Sequence, residues 1–587
     1  MLLLTLNAML LLFLTIGLGV VSQSLLEKLF GEPVASDLPG LFLTGLFFST
    51  VYFNLVSFWF PVNWLCLLPL MFICALFFGL QKEKYRQLVH LFRRRIDFMF
   101  SKDARLPFVC ILLLLFLFFL LPSGNPDGPG YHFLSIRWYE TFPVIPGLGN
   151  LHGRFAFNPA SFIVQAAWSF TSLAGQPIYT LNSVASGLLL LWLLARLINH
   201  RNTRAGLFYF ILLLLMCRTL LGNMSSVASD TLVFVCIVYA LVRFFELIRA
   251  KEITTGNIIV PVIVSLYAPV AKLSAYPLLM VIPFVFYLLP GGKKKIVPML
   301  KCVLPALLLY LPWLARNYIM SGYLVYPMPG IDFFNPDWKI SKDLLTIEYD
   351  YVRYGGFMDN ALLKTFQHKP SFSFTQWFLP WVSTMIKYQP GDFFFFLAAF
   401  LAPVGWLIVF MRKQRPDRTF LILLLIIYMG CVIWLFTSPG IRFGAGFLSL
   451  SIVLPLLLTK EAGKKMSPRV LQPLFIILLV YYTISAYQLI QVYNKKRNHA
   501  VSIKTPWIYP LPNYQYTLQA ATNFPYRIMN TGVKLYLADS THHCINACLP
   551  CMDWQYGDIE MRGKRLEDGF RCTRSRLPET FPFLKDR

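Results

Sequence analysis

The strongest constraint on this chain is a recurrence of apolar runs, each near the roughly twenty residues that a helix needs to cross a hydrocarbon core. They follow one another from Met1 to about residue 491, separated by short segments in which Lys and Arg gather. Backbone amides in lipid find no water, so such runs must satisfy their own hydrogen bonds as helices rather than as open strands. Only 14% of the residues are charged, against 57% hydrophobic, where a soluble domain carries about 25% charged residues. The pattern predicts an all-α polytopic membrane bundle of about fourteen transmembrane helices, followed by a small C-terminal extracytoplasmic α/β domain.

A net charge of +25, from 53 Lys and Arg against 28 Asp and Glu, would suit a nucleic-acid partner if it were concentrated on one surface. Here it is parcelled into loops between apolar runs, the distribution that orients helices with their basic loops in the cytoplasm. Nucleic acid is therefore excluded as a partner, and membrane lipids are expected. The loop Gln81–Arg105 carries Lys82, Lys84, Arg86, Arg93, Arg94, Arg95, Lys102 and Arg105 and is assigned to the cytoplasm. Three apolar runs precede it, at 1–23, 38–59 and 62–80, which places the N-terminus outside. The first run lacks a basic start and a cleavage site, so it reads as a retained helix. Later basic clusters all fall inside only if 157–173 does not span, and that segment is read as an interfacial or re-entrant helix on the outer face.

This topology divides the chain into 1–105, with N-terminal helices and the basic loop; 106–491, a transmembrane core with outer loops 123–176 and 316–391; and 492–587, an extracytoplasmic tail. Lys495, Lys496 and Arg497 follow the last helix on the outer side, which long translocated segments tolerate.

The first outer loop carries the chemistry. In Ser123-Gly-Asn-Pro-Asp-Gly-Pro-Gly-Tyr-His132, the carboxylate Asp127 sits among turn-forming residues that let a substrate approach the backbone closely. A carboxylate there suits general-base work on a hydroxyl, or a divalent metal; equally, it is a turn or cap residue. His132 is the competing base, and Arg137 and Glu140 follow on a predicted short helix. Asp230 opens a later span, where a helix N-cap is the plainer role. Lys272, Arg316 and Arg442 border the same face. Charges near membrane depth are expensive and often functional, a guanidinium fork matches phosphate, and snorkelling to lipid headgroups is the alternative. Together they predict an anionic, lipid-linked substrate. In the tail, Cys544, Cys548, Cys551 and Cys572 are expected to form two disulfides, with zinc ligation by these cysteines and His542/His543 as the other possibility.

An acidic residue in the first large outer loop, an interfacial helix after it and a later Pro439-Gly-Ile-Arg442-Phe443 resemble the GT-C superfamily of membrane glycosyltransferases. Four stretches are similar to an uncharacterised bacterial membrane-protein family related to them: Tyr131-His…Arg137-Trp, Val144 to Asn158, Arg316-Asn…Gly322…Tyr326-Pro327, and Leu549-Pro-Cys551…Arg562-Gly…Gly569-Phe570. The resemblance covers most of the chain beyond residue 106, so the helices before it look like an addition to the GT-C plan. It implies a bacterial inner-membrane enzyme that takes a sugar from a polyprenyl-phosphate-linked donor to a glycan, lipid or protein acceptor. Asp127 matches the first-loop base or metal ligand, Asp230 a second acidic position, and Arg442 a contact to the carrier phosphate. Related enzymes with a metal have two adjacent carboxylates, whereas Gly128 follows Asp127, which favours a metal-free reaction without a cofactor. A transporter or flippase for lipid-linked glycans, or a non-catalytic subunit of an envelope assembly system, are the alternatives.

Overall fold

The structure, a computed structural model, describes residues 2–121, 125, 127–201, 203–290, 296–354, 374–411, 418–457, 468–496, 525–537, 544, 548–552 and 557–575. The helices, in order, are α1 (Leu2–Phe30), α2 (Leu38–Val56), α3 (Leu67–Leu80), α4 (Lys82–Met99), α5 (Arg105–Leu120), α6 (Phe133–Thr141), α7 (Ala160–Trp168) and α8 (Thr171–Ala174). Then come α9 (Leu181–His200), α10 (Arg204–Leu220), α11 (Ser229–Ala250), α12 (Thr255–Ala271), α13 (Val281–Leu288), α14 (Ile296–Lys301) and α15 (Val303–Ser321). The last are α16 (Lys342–Tyr354), α17 (Phe374–Tyr388), α18 (Pro390–Met411), α19 (Arg418–Thr437), α20 (Ile441–Val453) and α21 (Pro468–Lys496).

The chain is a multi-pass membrane protein. Among the described residues nine helices are long and apolar enough to cross a bilayer, or up to ten if the bent pair made by α3 with its leading turn and α4 counts as one. Four further apolar helices are shorter, Arg105–Leu120, Thr255–Ala271, Leu273–Leu288 and Ile441–Leu456. Breaks between the apolar helices are local. Between α12 and α13, for example, Pro261 and Pro269 lie inside α12, Lys272 is extended, and a 3₁₀ stretch, Leu273–Met280, follows. α12 runs unbroken through both prolines, and the break between it and the next helix falls at Lys272.

α11 is the central helix: its sequence is apolar on every side, and most of its residues, from Leu232 to Ile248, are buried. It packs on α9, α12, α19 and α20. The helices before residue 105 are packed into the bundle: α2 contacts α7, α9, α12 and α15. α1 and α2 cross at glycines: a Cβ on Gly19 would lie 1.9 Å from the Leu41 carbonyl oxygen, and one on Gly45 the same distance from that of Thr15. Only a residue without a side chain permits that approach, which substitutes backbone packing for the hydrophobic drive that lipid removes.

The segment 157–173, read as an interfacial or re-entrant helix, is not among the helices long and apolar enough to cross; its α7 part lies inside the bundle, while α8 at its end has no buried residue. α7 has nine residues, all buried, and packs on α2, α6 and α11. Its polar residues find partners inside the bundle: Gln165 Nε2 donates to the Val227 carbonyl at 3.0 Å and Asn158 Nδ2 to that of Trp313 at 3.2 Å.

Among its described residues the tail forms two small sheets rather than an α/β unit, one mixed and one antiparallel. β1 (Tyr526–Ile528), β2 (Lys534–Leu537) and β3 (Cys551–Met552) make one; β4 (Gly557–Met561) and β5 (Phe570–Ser575) make the other. It docks on the loop after α6. The Phe570 amide donates to the Pro146 carbonyl at 2.9 Å, Arg562 bonds Asp337 at 2.8 Å, and its guanidinium lies 4.5 Å from the Trp338 ring. Gly147, at φ 64°, is required there, since a Cβ would sit 2.1 Å from the Phe570 oxygen.

Cysteine pairing differs from the expected two disulfides. Cys544 bonds Cys551, while Cys548 is a free exposed thiol and Cys572 a free, partly buried one. Cys572 is held within β5 opposite Ile559 and against Gly557, which leaves Cys548 without a partner sulfur. His542 and His543 lie outside the described residues. Without reductant, alkylation of the purified protein is expected to modify Cys548 quickly and Cys572 slowly, because burial raises its thiol pKa. Cys544 and Cys551 should react only after reduction. Peptide mapping by mass spectrometry reads this, and rapid labelling of Cys544 without reductant would contradict the pairing.

Candidate functional site

The site forms where the loops after α5 and α10 meet the starts of α11 and α20. The chain leaves α5 into the Asn-Pro-Asp-Gly turn, where the Asp127 amide donates to the Asn125 side-chain oxygen at 3.0 Å, an Asx turn. Asp127 then leads into a π-helical turn, Gly128–His132, which continues directly into α6. Single π turns widen a helix and are frequent at functional sites. Asn125 Nδ2 reaches Ser226 Oγ at 3.3 Å, and Asn182 Nδ2 donates to the carbonyls of Ser226 and Ala228, each at 2.7 Å. These bonds lock the loop before α11 against the loop before α6. Asp230, in the first turn of α11, is thereby brought beside Asp127's turn.

Three ion pairs result. Arg442 Nη2 lies 2.6 Å from Asp127 Oδ2, and Arg154 Nη1 lies 3.8 Å from Asp127 Oδ1. Lys272 pairs with Asp230. Phe443 joins them: the Lys272 ammonium lies 3.8 Å and the Arg442 guanidinium 4.8 Å from its ring centroid. The Asp127 side chain keeps 22% of its exposure and Arg442 44%, so this pair is open to a ligand. Burial works to raise the Asp127 pKa, but Arg442 and Arg154 outweigh it and hold the carboxyl below its usual range. Asp127 is a carboxylate at neutral pH.

His132 is 4% exposed, and its Nδ1 has no hydrogen-bond partner. Burial pushes its pKa down to about 3, so it is a neutral imidazole beside the two carboxylates. An orphaned buried nitrogen at such a place is a ready hydrogen-bonding position for a ligand hydroxyl or a water.

Six residues thus converge. Asp127, His132, Asp230, Lys272 and Arg442 are expected from sequence; Arg154 is not. Arg154 is itself fixed by Glu348 of α16 at 3.4 Å and lies 5.2 Å from the Tyr131 ring and 4.3 Å from that of Tyr351. Its signal in the sequence is a lone charge in the glycine-rich stretch His152-Gly-Arg154. Glu348 shows only as an acid on the apolar side of an amphipathic helix.

Three expected members sit elsewhere. Arg316 is 1% exposed in α15 and bonds Ser57 Oγ at 2.5 Å and Asn158 Oδ1 at 3.2 Å, with its guanidinium 4.7 Å from the Tyr139 ring. It ties α15 to the end of α2 and the segment before α7. Glu140 accepts from the Thr171 hydroxyl at 2.9 and 3.1 Å. Arg137 lies within electrostatic reach of Glu140 and of Cys548 in the tail. Both belong to the contact between α6 and its surroundings, because α6 turns that side away from the Asp127 turn.

No three His, Cys, Asp or Glu residues among the described ones gather as metal ligands. Asp127 and Asp230 are each engaged by cationic side chains instead, a donor arrangement that does not fit a divalent ion. No curated protein and no solved structure matches the chain. The stretch that does match a family model runs unbroken through residue 105 and includes the whole ion-pair site. Over residues 1–449 that model is a domain of unknown function (DUF8201), and the chain belongs to this family.

Proposed function

We propose that the protein is a GT-C-type inverting glycosyltransferase that moves a sugar from a polyprenyl-phosphate-linked donor to an envelope glycan, lipid or protein acceptor. The site would face the outer side of a bacterial inner membrane, with the N-terminus and the tail outside. If α3 and the four shorter apolar helices also cross, the total is about fourteen. The observation that carries the reading is the half-open Asp127–Arg442 pair, a base and a phosphate-binding fork in one contact.

In this reading the donor phosphate competes with Asp127 for the Arg442 guanidinium, a fork it matches bidentately. Losing that partner raises the Asp127 pKa and makes it a better base. The acceptor hydroxyl then attacks the anomeric carbon as its proton passes to Asp127. The bond from that carbon to the phosphate oxygen breaks, and the polyprenyl phosphate departs with the bonding electrons. Arg442, with Lys272 nearby, stabilises the charge on the leaving phosphate. His132, neutral, offers a hydrogen bond to the acceptor, and Arg154 holds the Asp127 turn in place. A carrier lipid reaches such a site laterally from the bilayer, which gives a reason for building the enzyme as a bundle.

Arg442→Gln is expected to weaken binding of polyprenyl monophosphate to the detergent-purified protein by about ten- to a hundredfold, the effect of one charge-assisted contact. Ligand-induced quenching of tryptophan fluorescence would report it, and unchanged binding would contradict the assignment. A transporter of lipid-linked glycans is the second reading. It is favoured by the broken helix at Lys272, since interrupted helices with a charge at the break mark substrate paths in transporters. The exposure of Arg442 is what favours an enzyme.

A further inference from the structure

At the end of the bundle opposite the ion-pair site lies α4, away from the proposed chemistry. Asp230 and Glu246 mark the two ends of α11, about 24 Å apart at 1.5 Å per residue, and α4 belongs to the Glu246 end through the basic loop that surrounds it. α4 has no fully buried residue, yet it is strongly amphipathic. It leaves α3 at a bend of 102°. α3 itself exposes Leu68, Met71, Phe72, Leu76 and Leu80, the surface of a helix in lipid. A helix turned by that angle at its end lies along the membrane plane.

Around α4 three sectors follow from a step of about 100° per residue. Leu88, Leu91, Phe92, Phe98 and Met99 pack on the protein. Next to them Tyr85, Ile96 and Val89 fall within about 40° of one another and are 53%, 52% and 43% exposed. Lys82, Arg93 and Arg86 flank that stripe. α4 carries six basic residues, Lys82, Lys84, Arg86, Arg93, Arg94 and Arg95, against Glu83 and Asp97. Lys84 is taken by Glu27 of α1 at 2.9 Å, whereas Glu83 lies 3.8 Å from Arg86 with both side chains largely exposed.

We infer that α4 is an interfacial helix that binds the headgroups of anionic phospholipids in the leaflet at this end. The exposed apolar stripe enters the acyl boundary continuously with the lipid-facing side of α3. Lys82, Arg86 and Arg93, at the edge of the stripe, reach the phosphates, and Arg94 and His90 face the water. An apolar stripe edged by an excess of positive charge matches a negatively charged membrane surface better than it matches a protein groove.

The test uses the full chain reconstituted in phosphatidylcholine vesicles with and without phosphatidylglycerol. A spin label at position 89 should relax more with oxygen than with a water-soluble nickel complex, and one at position 90 the reverse. Phosphatidylglycerol retained through detergent extraction should exceed phosphatidylcholine in the wild type. Each basic residue at an anionic surface contributes roughly fivefold, so Lys82→Gln/Arg86→Gln/Arg93→Gln should cut this preference by at least ~tenfold, while Arg86→Lys/Arg93→Lys keeps it. An unchanged preference in the glutamine variant would overturn the inference. So would a label at 89 that meets the nickel complex freely, or one shielded from both reagents, which would mean that another protein covers the stripe.

Discussion

Replacing Asp127 by asparagine is expected to lower sugar transfer by about 10²–10⁴-fold, the usual contribution of a general base, without unfolding the protein. Asparagine keeps the shape of the side chain and can still accept one hydrogen bond from Arg442, but it cannot take a proton. The loss should appear in turnover rather than in donor binding, because the guanidinium of Arg442 becomes freer for phosphate. His132→Ala is the informative comparison. With its pKa near 3, His132 is poorly suited to carry a proton away, so its removal should affect acceptor use far more mildly. Wild-type product from Asp127→Asn together with none from His132→Ala would reverse the two roles. Product at full level from both, in folded protein, would remove the enzyme reading.

The second large effect concerns stability, at the other end of α11. Asp37 caps α2 through the Gly40 amide at 3.2 Å, accepts from the Tyr239 hydroxyl and from Trp192 Nε1, each at 2.8 Å, and lies 3.6 Å from Arg196. Glu246 completes the group, with Arg196 at 3.1 Å, Arg243 at 2.5 Å and the Tyr209 hydroxyl at 2.6 Å. Asp37→Ala removes one carboxylate from this buried set and strands two donors and a cap. Breaking one partner of a buried ionic group costs about 3–5 kcal/mol. Arg196 retains Glu246, so the lower end, about 3 kcal/mol, is expected. Thermal unfolding of the detergent-purified protein measures it. Asp37→Asn, which preserves the cap and one acceptor, should lose clearly less, and equal losses would mean that packing alone matters there.

The membrane bundle was legible because the bilayer allows so few structures: a run of apolar residues with no water to satisfy its amides has to become a helix. The count of crossings was less so, since apolar helices such as Arg105–Leu120 and Thr255–Ala271 are shorter than a full span. Asp127, Asp230, Lys272 and Arg442 were legible as charges beside apolar runs, where each needs a reason. Their pairing was not, because Asp127 and Arg442 are 315 residues apart and nothing local links them. Arg316 carries the same signal and has another role, since a buried arginine that ties α15 to Ser57 looks, in sequence, like one that binds phosphate. Arg154 was missed for the opposite reason: in an irregular loop no periodicity says which way a side chain points. In the tail, four cysteines expected outside the cytoplasm suggested two disulfides, but only the strand register shows that Cys572 is committed to its place in β5.

The central claim, transfer of a sugar at the Asp127 site, is tested most directly by mass spectrometry of envelope glycans, lipids and proteins. The cells would lack this chain and be complemented with the wild type or with Asp127→Asn at matched membrane levels. One envelope component is expected to lose the mass of a single sugar in the deletion strain, to regain it with the wild type, and not with Asp127→Asn. An unchanged set of masses in the deletion strain, or full restoration by Asp127→Asn, would contradict it.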